Sequence, residues 1–169
     1  MQTLISTGRC RAIGVSNFSI RQLEELLPHH SSPADSDSDI PLSCNQIESH
    51  PWLPNTPLLS YMRAHSILAT VYSPFAGQSA SGHTLLHDPV VRDIAAKNGM
   101  GAGQVQQSWA VGRGTVPLGK SQDEGRIRAN LAVRRLEDGD ARALDGLKVE
   151  GEGGRTIDYG GVWGVRFFV

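Results

Sequence analysis

Arg11-Ala12-Ile13-Gly14-Val15-Ser16-Asn17-Phe18 is the stretch on which the fold turns. Ile13 and Val15 suit a short buried strand, and Gly14 between them admits another backbone or a ligand at close range. Ser16 and Asn17 place two small hydrogen-bonding side chains where that strand ends. Ser19 then reads as the N-cap of a helix running through Arg21-Gln22-Leu23-Glu24-Glu25-Leu26-Leu27. Strand, polar tip and helix make one β/α unit, with its chemistry expected at the C-terminal end of the strand. The same grammar recurs at Asn45-Gln46-Ile47-Glu48, at Val71-Tyr72-Ser73-Pro74 and from Val116 to Ser121. Strands alternating with helices predict an α/β architecture with a parallel sheet.

Outward from that stretch, composition narrows the class. The 169 residues suffice for one domain with a real core, and 19 glycines suggest many loops. A net charge of -1 gives no basic face for nucleic acid or an anionic membrane. Cys10 and Cys44 are the only cysteines, too few for a disulfide framework or a zinc site, and both read as small buried hydrophobes. No run approaches membrane-spanning length and no signal-peptide layout opens the chain, so a cytoplasmic protein is expected.

The order of elements follows. Residues 1–7 read as the tail of a helix with Gly8 as its cap. The Ser/Asp-rich run 29–39 has nothing to bury and is expected to be a flexible inserted loop rather than a metal site. Ser43 to Glu48 is the second strand, and residues 56–65 carry Leu58, Leu59 and Met62 at helical spacing. Ile67 to Tyr72 is a continuous apolar run, suited to a strand covered on both faces. A Gly/Ser-rich loop to Gly82 is of the kind that folds over a ligand. Helices are expected over 88–97, over 102–112 with Val105, Trp109 and Ala110 on one side, from 123 to 134, and over 137–147. Residues 116–120 form a short strand that Pro117 weakens. Residues 1–150 read as one α/β unit and 151–169 as a tail.

Two groups of residues carry candidate chemistry. Lys120, Ser121 and Arg126 put two cations and a hydroxyl at a strand end and helix start, which suits a phosphate, and Asn130 lies one turn beyond Arg126. The bland alternative is a solvated basic helix end. Ser16, Asn17 and Gln46 offer donors and acceptors, and Tyr72 offers an aromatic face. Their bland alternatives are strand-end capping and a core aromatic. No Gly-x-Gly-x-x-Gly fingerprint marks a Rossmann site.

Gly14-Val15-Ser16-Asn17-Phe18, Asn45-Gln46-Ile47-Glu48 with His50-Pro51, Tyr72-Ser73-Pro74, and Lys120-Ser121 with Arg126-Ile127 and Asn130 together resemble the aldo-keto reductases, in that family's order. The resemblance implies a partial (β/α)8 TIM barrel, about the last four β/α units, with residues 1–7 ending the helix before the fifth strand. It implies NADPH as cofactor. Residues matching Lys120, Ser121, Arg126 and Asn130 hold its 2'-phosphate and adenine. Ser16, Asn17 and Gln46 match residues on the nicotinamide carboxamide, Tyr72 the residue stacked on that ring, and Ser73 one near the pyrophosphate. Leu118-Gly119 departs from the family, where proline usually runs directly into lysine, and so could shift Lys120.

The family reduces aldehydes and ketones with a tyrosine, lysine, aspartate and histidine that come from the other half of its barrel, so no catalytic residue is carried over. His50 matches a structural position, and Trp52 and Trp163 are candidate walls for a small carbonyl substrate. The tail from Gly154 to Val165 looks like fungal members. A truncated enzyme not active alone is the reading. The alternative is a non-catalytic nucleotide-binding or interaction module, a half-barrel that pairs with a second copy or a complementary chain.

Overall fold

The computed structural model describes residues 2–27, 42–78 and 82–157. The expected inserted loop at 29–39 and Trp163 of the tail lie outside them. The first helix, α1 (Gln2–Ser6), ends at Gly8, whose φ of 69° is the left-handed geometry a glycine cap provides. Strand β1 (Ile13–Ser16) leads into α2 (Ile20–Leu26). Ser19 and Gln22 form a reciprocal capping box at its start: Gln22 N–H donates to Ser19 Oγ, and Ser19 N–H to Gln22 Oε1 at 2.8 Å.

Strand β2 (Leu42–Glu48) is followed by α3 (Thr56–Ala64), β3 (Leu68–Tyr72), α4 (Pro89–Asn98), α5 (Ala102–Gly112), β4 (Val116–Pro117), α6 (Glu124–Leu131) and α7 (Asp138–Asp145). The four strands form one parallel sheet in the order β1-β2-β3-β4. Register places Ser16 opposite Gln46 and Glu48 opposite Tyr72, so the polar strand tips share one end of the sheet.

One sheet face is covered. Leu42, Ile47, Ile67 and Ala69 pack with Leu23 of α2 and with Leu59 and Met62 of α3 in a buried cluster. Each fully buried Leu or Met there contributes roughly 1.5–3 kcal/mol. A second cluster joins α4, α5 and α7 through Val91, Ile94, Val105, Trp109 and Leu144. No helix among the described residues is long and apolar enough to cross a membrane.

Several expectations need correction. β3 is covered on one face only: Ala69 and Val71 are buried, whereas Leu68 is 49% exposed, with Thr70 and Tyr72 half-buried. Its apolar run reflects a face that the described residues leave open. Cys44 and Cys10 are half-buried free thiols rather than core residues, and Cys44 packs on Gly14, where a Cβ would meet its sulfur. β4 stops at Pro117, because proline has no N–H for the ladder, although Leu118 N–H still reaches Val71 O at 2.8 Å. The last two helices are shorter than the sequence suggests, α6 ending at Leu131 and α7 at Asp145.

Candidate functional site

The tips of β1, β2 and β3 are tied by side chains. Ser16 Oγ donates to Gln46 O at 3.0 Å, and Asn17 N–H donates to the same carbonyl at 2.8 Å. Asn17 has a φ of 61°, which turns the chain off the strand and aims its side chain across the sheet end. Its Oδ1 accepts the Tyr72 hydroxyl at 2.9 Å. Burial, and then the nearby Glu48 charge, push the Tyr72 phenol above its ordinary range, so it remains a neutral donor at physiological pH. Ser16, Asn17, Gln46 and Tyr72 therefore form one connected group. Buried Asn45 holds it from behind, donating to Phe18 O at 2.8 Å and accepting from Phe18 N–H at 3.3 Å. Ser73, at φ 50°, begins the turn after β3 and accepts Ala76 N–H through its carbonyl at 2.8 Å.

The second group sits beyond β4. Asp123 caps α6, its Oδ1 accepting Arg126 N–H at 2.8 Å. Ser121 Oγ accepts from Asp123 N–H at 3.1 Å and from Arg126 Nε at 3.2 Å, which fixes the guanidinium beside the hydroxyl. Lys120, Ser121, Arg126 and Asn130 line one cavity of about 270 Å³, with Phe75 and Leu86 as apolar wall. The Leu118-Gly119 departure does not separate Lys120 from its neighbours. Gly119 lies so close to Gln107, Phe75 and Asn130 that a Cβ would run into all three. The extra residues are absorbed by a tight backbone approach that glycine permits.

Glu48 was not a candidate in the sequence, yet it is the most heavily bonded carboxylate described. Its side chain is fully buried and accepts Thr156 N–H at 2.8 Å, Thr156 Oγ at 2.6 Å and Ile157 N–H at 3.4 Å, with Arg155 Nη1 at 3.6 Å. His50 Nε2 lies 3.1 Å from it, and the buried His50 ring meets Trp52 edge-on, so His50 packs the corner as its motif implied. Burial alone would push the Glu48 carboxyl up. Hydrogen bonds from His50 and Thr156 outweigh it and hold the group below the ordinary carboxylate range. Trp52 packs partly against the second core cluster, and its carbonyl takes Val149 N–H at 3.1 Å. Phe75, Leu86, Asn45 and Thr156 also escaped the sequence reading. The first three carry no local signal beyond apolar or strand-end character, and Thr156 is 108 residues from its partner. Among the described residues no group of three or more His, Cys, Asp or Glu is arranged to hold a metal ion.

Residues 1–148 match the sequence model of the Aldo/keto reductase family. The chain belongs to that family. Glycerol 2-dehydrogenase (NADP(+)) of Saccharomyces cerevisiae is 37% identical over 150 residues, covering 89% of this chain and 45% of that protein. Among solved structures, aldose reductase of Giardia lamblia superposes with a TM-score of 0.83 at 28% identity, over 100% of this chain and 54% of the other. The aldo-keto reductase of the silkworm Bombyx mori, complexed with NADPH, gives a TM-score of 0.78 at 28% identity, over 93% and 47%. This aldo-keto reductase chain thus spans about half the length of the relatives it matches, and its four-stranded sheet corresponds to part of their barrel.

Proposed function

We propose that residues 1–150 are the last four β/α units of an aldo-keto reductase barrel, with 151–169 as its tail, and that they bind NADPH along the C-terminal strand ends. The observation that carries this reading is the convergence of Lys120, Ser121, Arg126 and Asn130 on one cavity with an aromatic wall. The donor set fits a phosphate. Lys120 has no hydrogen-bond or ion-pair partner among the described residues, and Arg126 is held through Ser121 with Asp123 only at 4.0 Å. Phosphate brings acceptor oxygens for the unpaired Lys120 ammonium, with the Arg126 guanidinium held beside it. NADPH, which carries a 2'-phosphate, is then preferred over NADH.

At the other end, Ser16, Asn17 and Gln46 would hold the nicotinamide carboxamide, and Tyr72 would present its ring to the nicotinamide face. Tyr72 is suited to this because its hydroxyl is already fixed by Asn17. Ser73 would lie along the pyrophosphate. When bound, the cofactor supplies a hydride for reducing a small aldehyde or ketone to an alcohol. This chain's residues bind and orient it. The proton donor belongs to the tyrosine-bearing half of the family barrel, so the purified chain alone is expected to show no turnover.

A second reading is favoured by one observation. Leu68 and Val116 are 49% and 43% exposed along the open side of β3 and β4. An interaction module that covers this face with another chain would bury them.

Fluorescence titration of the purified chain with NADPH tests the primary reading, beside NADH and a Lys120→Ala/Arg126→Ala variant. Saturable binding that prefers NADPH and is lost in the variant supports it. A soluble, folded chain that binds neither nucleotide refutes the site.

A further inference from the structure

At the end of the sheet where the strands begin, α3, the start of β3 and the turn from α5 into β4 border a cavity of about 230 Å³. Leu68 starts β3 and Tyr72 ends it, so the rise of the strand sets this cavity roughly 13 Å from the Tyr72 tip. Arg63, Ser66 and Arg113 line it, with buried Leu59, Ile67 and Ala69 as its aliphatic wall.

Both arginines are held in place without an acid. Arg63 Nη2 donates to Arg113 O at 2.8 Å, which covers a helix-end carbonyl that would otherwise repel an anion. The Arg113 guanidinium lies 4.5 Å from the Trp109 ring centroid, and its Nη2 donates to Thr56 Oγ1 at 2.7 Å. Among the described residues, Arg113 Nη1 is buried with no hydrogen-bond partner, neither arginine has a carboxylate within ion-pair distance, and the Ser66 hydroxyl is unbonded. Asp145, the acid on this side, accepts Trp109 Nε1–H at 2.9 Å instead. Burial holds the Arg113 guanidinium below its ordinary range; Asp145 offsets part of that, and the Arg63 charge adds to it. Two like charges beside aliphatic side chains carry a cost that an anion in the cavity relieves.

We infer that this cavity is a binding site for a small organic carboxylate, its acid group facing Arg63, Ser66 and Arg113 and its aliphatic body on Leu59, Ile67 and Ala69. Guanidinium groups match the paired oxygens of a carboxylate or a phosphate. The aliphatic wall decides for the carboxylate, since inorganic phosphate has no apolar body to bury there. The site lies at the opposite end of the sheet from the NADPH reading and does not depend on it.

Amide chemical-shift mapping of the isotope-labelled chain tests this, with butyrate, neutral butyramide and inorganic phosphate as probes. Butyrate should shift Ser66, Leu68 and Gly114 saturably, and butyramide should not. Residue-level mapping is needed because Lys120 and Arg126 also attract anions, and shifts at Ser121 and Arg126 report that cavity instead. Arg63→Gln should weaken butyrate by about tenfold or more, the loss of one charge-assisted hydrogen bond, and Arg63→Lys by clearly less. Leu68→Glu keeps both arginines, adds an acid at a half-exposed position and should also abolish binding; it carries the test if Arg63→Gln does not fold.

Shifts confined to Ser121 and Arg126, or none with any probe, overturn the site. Phosphate that binds at Ser66 and Gly114 as tightly as butyrate overturns the carboxylate assignment, and butyramide that does so overturns the role of charge. Butyrate affinity unchanged in Arg63→Gln, or in Leu68→Glu, overturns the arginine-lined geometry.

Discussion

The Tyr72 hydroxyl donates to Asn17 Oδ1 at 2.9 Å, reaching from the end of β3 over β2 to the residue after β1. Two strands that are not neighbours are thereby tied at the end where the candidate site lies. Tyr72→Phe removes the hydroxyl and is expected to cost about 1 kcal/mol. Asn17→Ala should cost more, because alanine at φ 61° adds roughly 1–2 kcal/mol of left-handed strain. Asn17→Gly relieves that strain and should fall between them. Urea unfolding midpoints give the order, and Asn17→Gly no better than Asn17→Ala would contradict the strain argument.

Glu48 makes the fold acid-sensitive in a defined direction. Its native carboxyl lies below the unfolded reference of 4.5 despite burial, because His50 and Thr156 bond the charged form. The associated stability is complete above about pH 4.5 and falls away as pH drops below it toward the native value. Glu48→Gln should lower the melting temperature at pH 7, and that difference should shrink as pH falls below about 4.5. Parallel melting curves for parent and variant across the whole range would show that ionised Glu48 contributes nothing.

Much of this was legible from local sequence. The Ser19 helix cap, the Gly8 helix end and the strand tips at Ser16, Gln46 and Tyr72 follow from neighbouring residue types. Burial of Val105, Trp109 and Ala110 followed from helical spacing. Lys120, Ser121 and Arg126, with Asn130 one turn on, were legible as a basic strand end and helix start, and the resemblance added a common ligand, but neither gave their shared cavity. Glu48 with Thr156 was invisible because the partners are far apart in sequence and neither is unusual alone. The apolar run at 67–72 misled for a different reason. Its hydrophobicity suits a closed sheet, whereas the described residues cover one face.

Gly119 provides the most local test of the phosphate end. A methyl there meets Gln107, Phe75 and Asn130 together, and buried Gln107 is the nearest of the three. Gly119→Ala should destabilise the fold by roughly 1–3 kcal/mol through overpacking. It should also weaken NADPH binding by displacing Asn130 and Phe75 from the cavity wall. Gln107→Ala is expected to recover part of the stability in the double variant. No recovery would locate the clash at Phe75 and Asn130 alone.

Gln106 is fully buried on α5, and neither polar atom of its amide has a hydrogen-bond partner among the described residues. Leaving a buried amide unsatisfied costs roughly 1–3 kcal/mol. Gln106→Met keeps the shape and removes the polar groups, so it should raise the urea midpoint with an unchanged denaturant slope. A drop in the midpoint would mean that the amide is satisfied in solution.

The open side of the sheet predicts self-association. Leu68, Val116 and Leu118 are partly exposed near an edge strand of two residues, and Leu131 on α6 is 82% exposed nearby in sequence and apolar in character. Val111, Leu118, Ile127 and Leu131 together line an open apolar cavity of about 560 Å³. Apolar surface left beside unpaired strand groups favours pairing with another chain. Sedimentation velocity of the purified chain should therefore show a mass that rises with concentration. Leu68→Thr and Val116→Thr combined keep β-compatible side chains and should reduce that rise without lowering the melting temperature by much, since neither is buried. Association unchanged in the double variant would move the contact to the surface of Leu118, Ile127 and Leu131, and Leu131→Gln would then be the substitution that abolishes it.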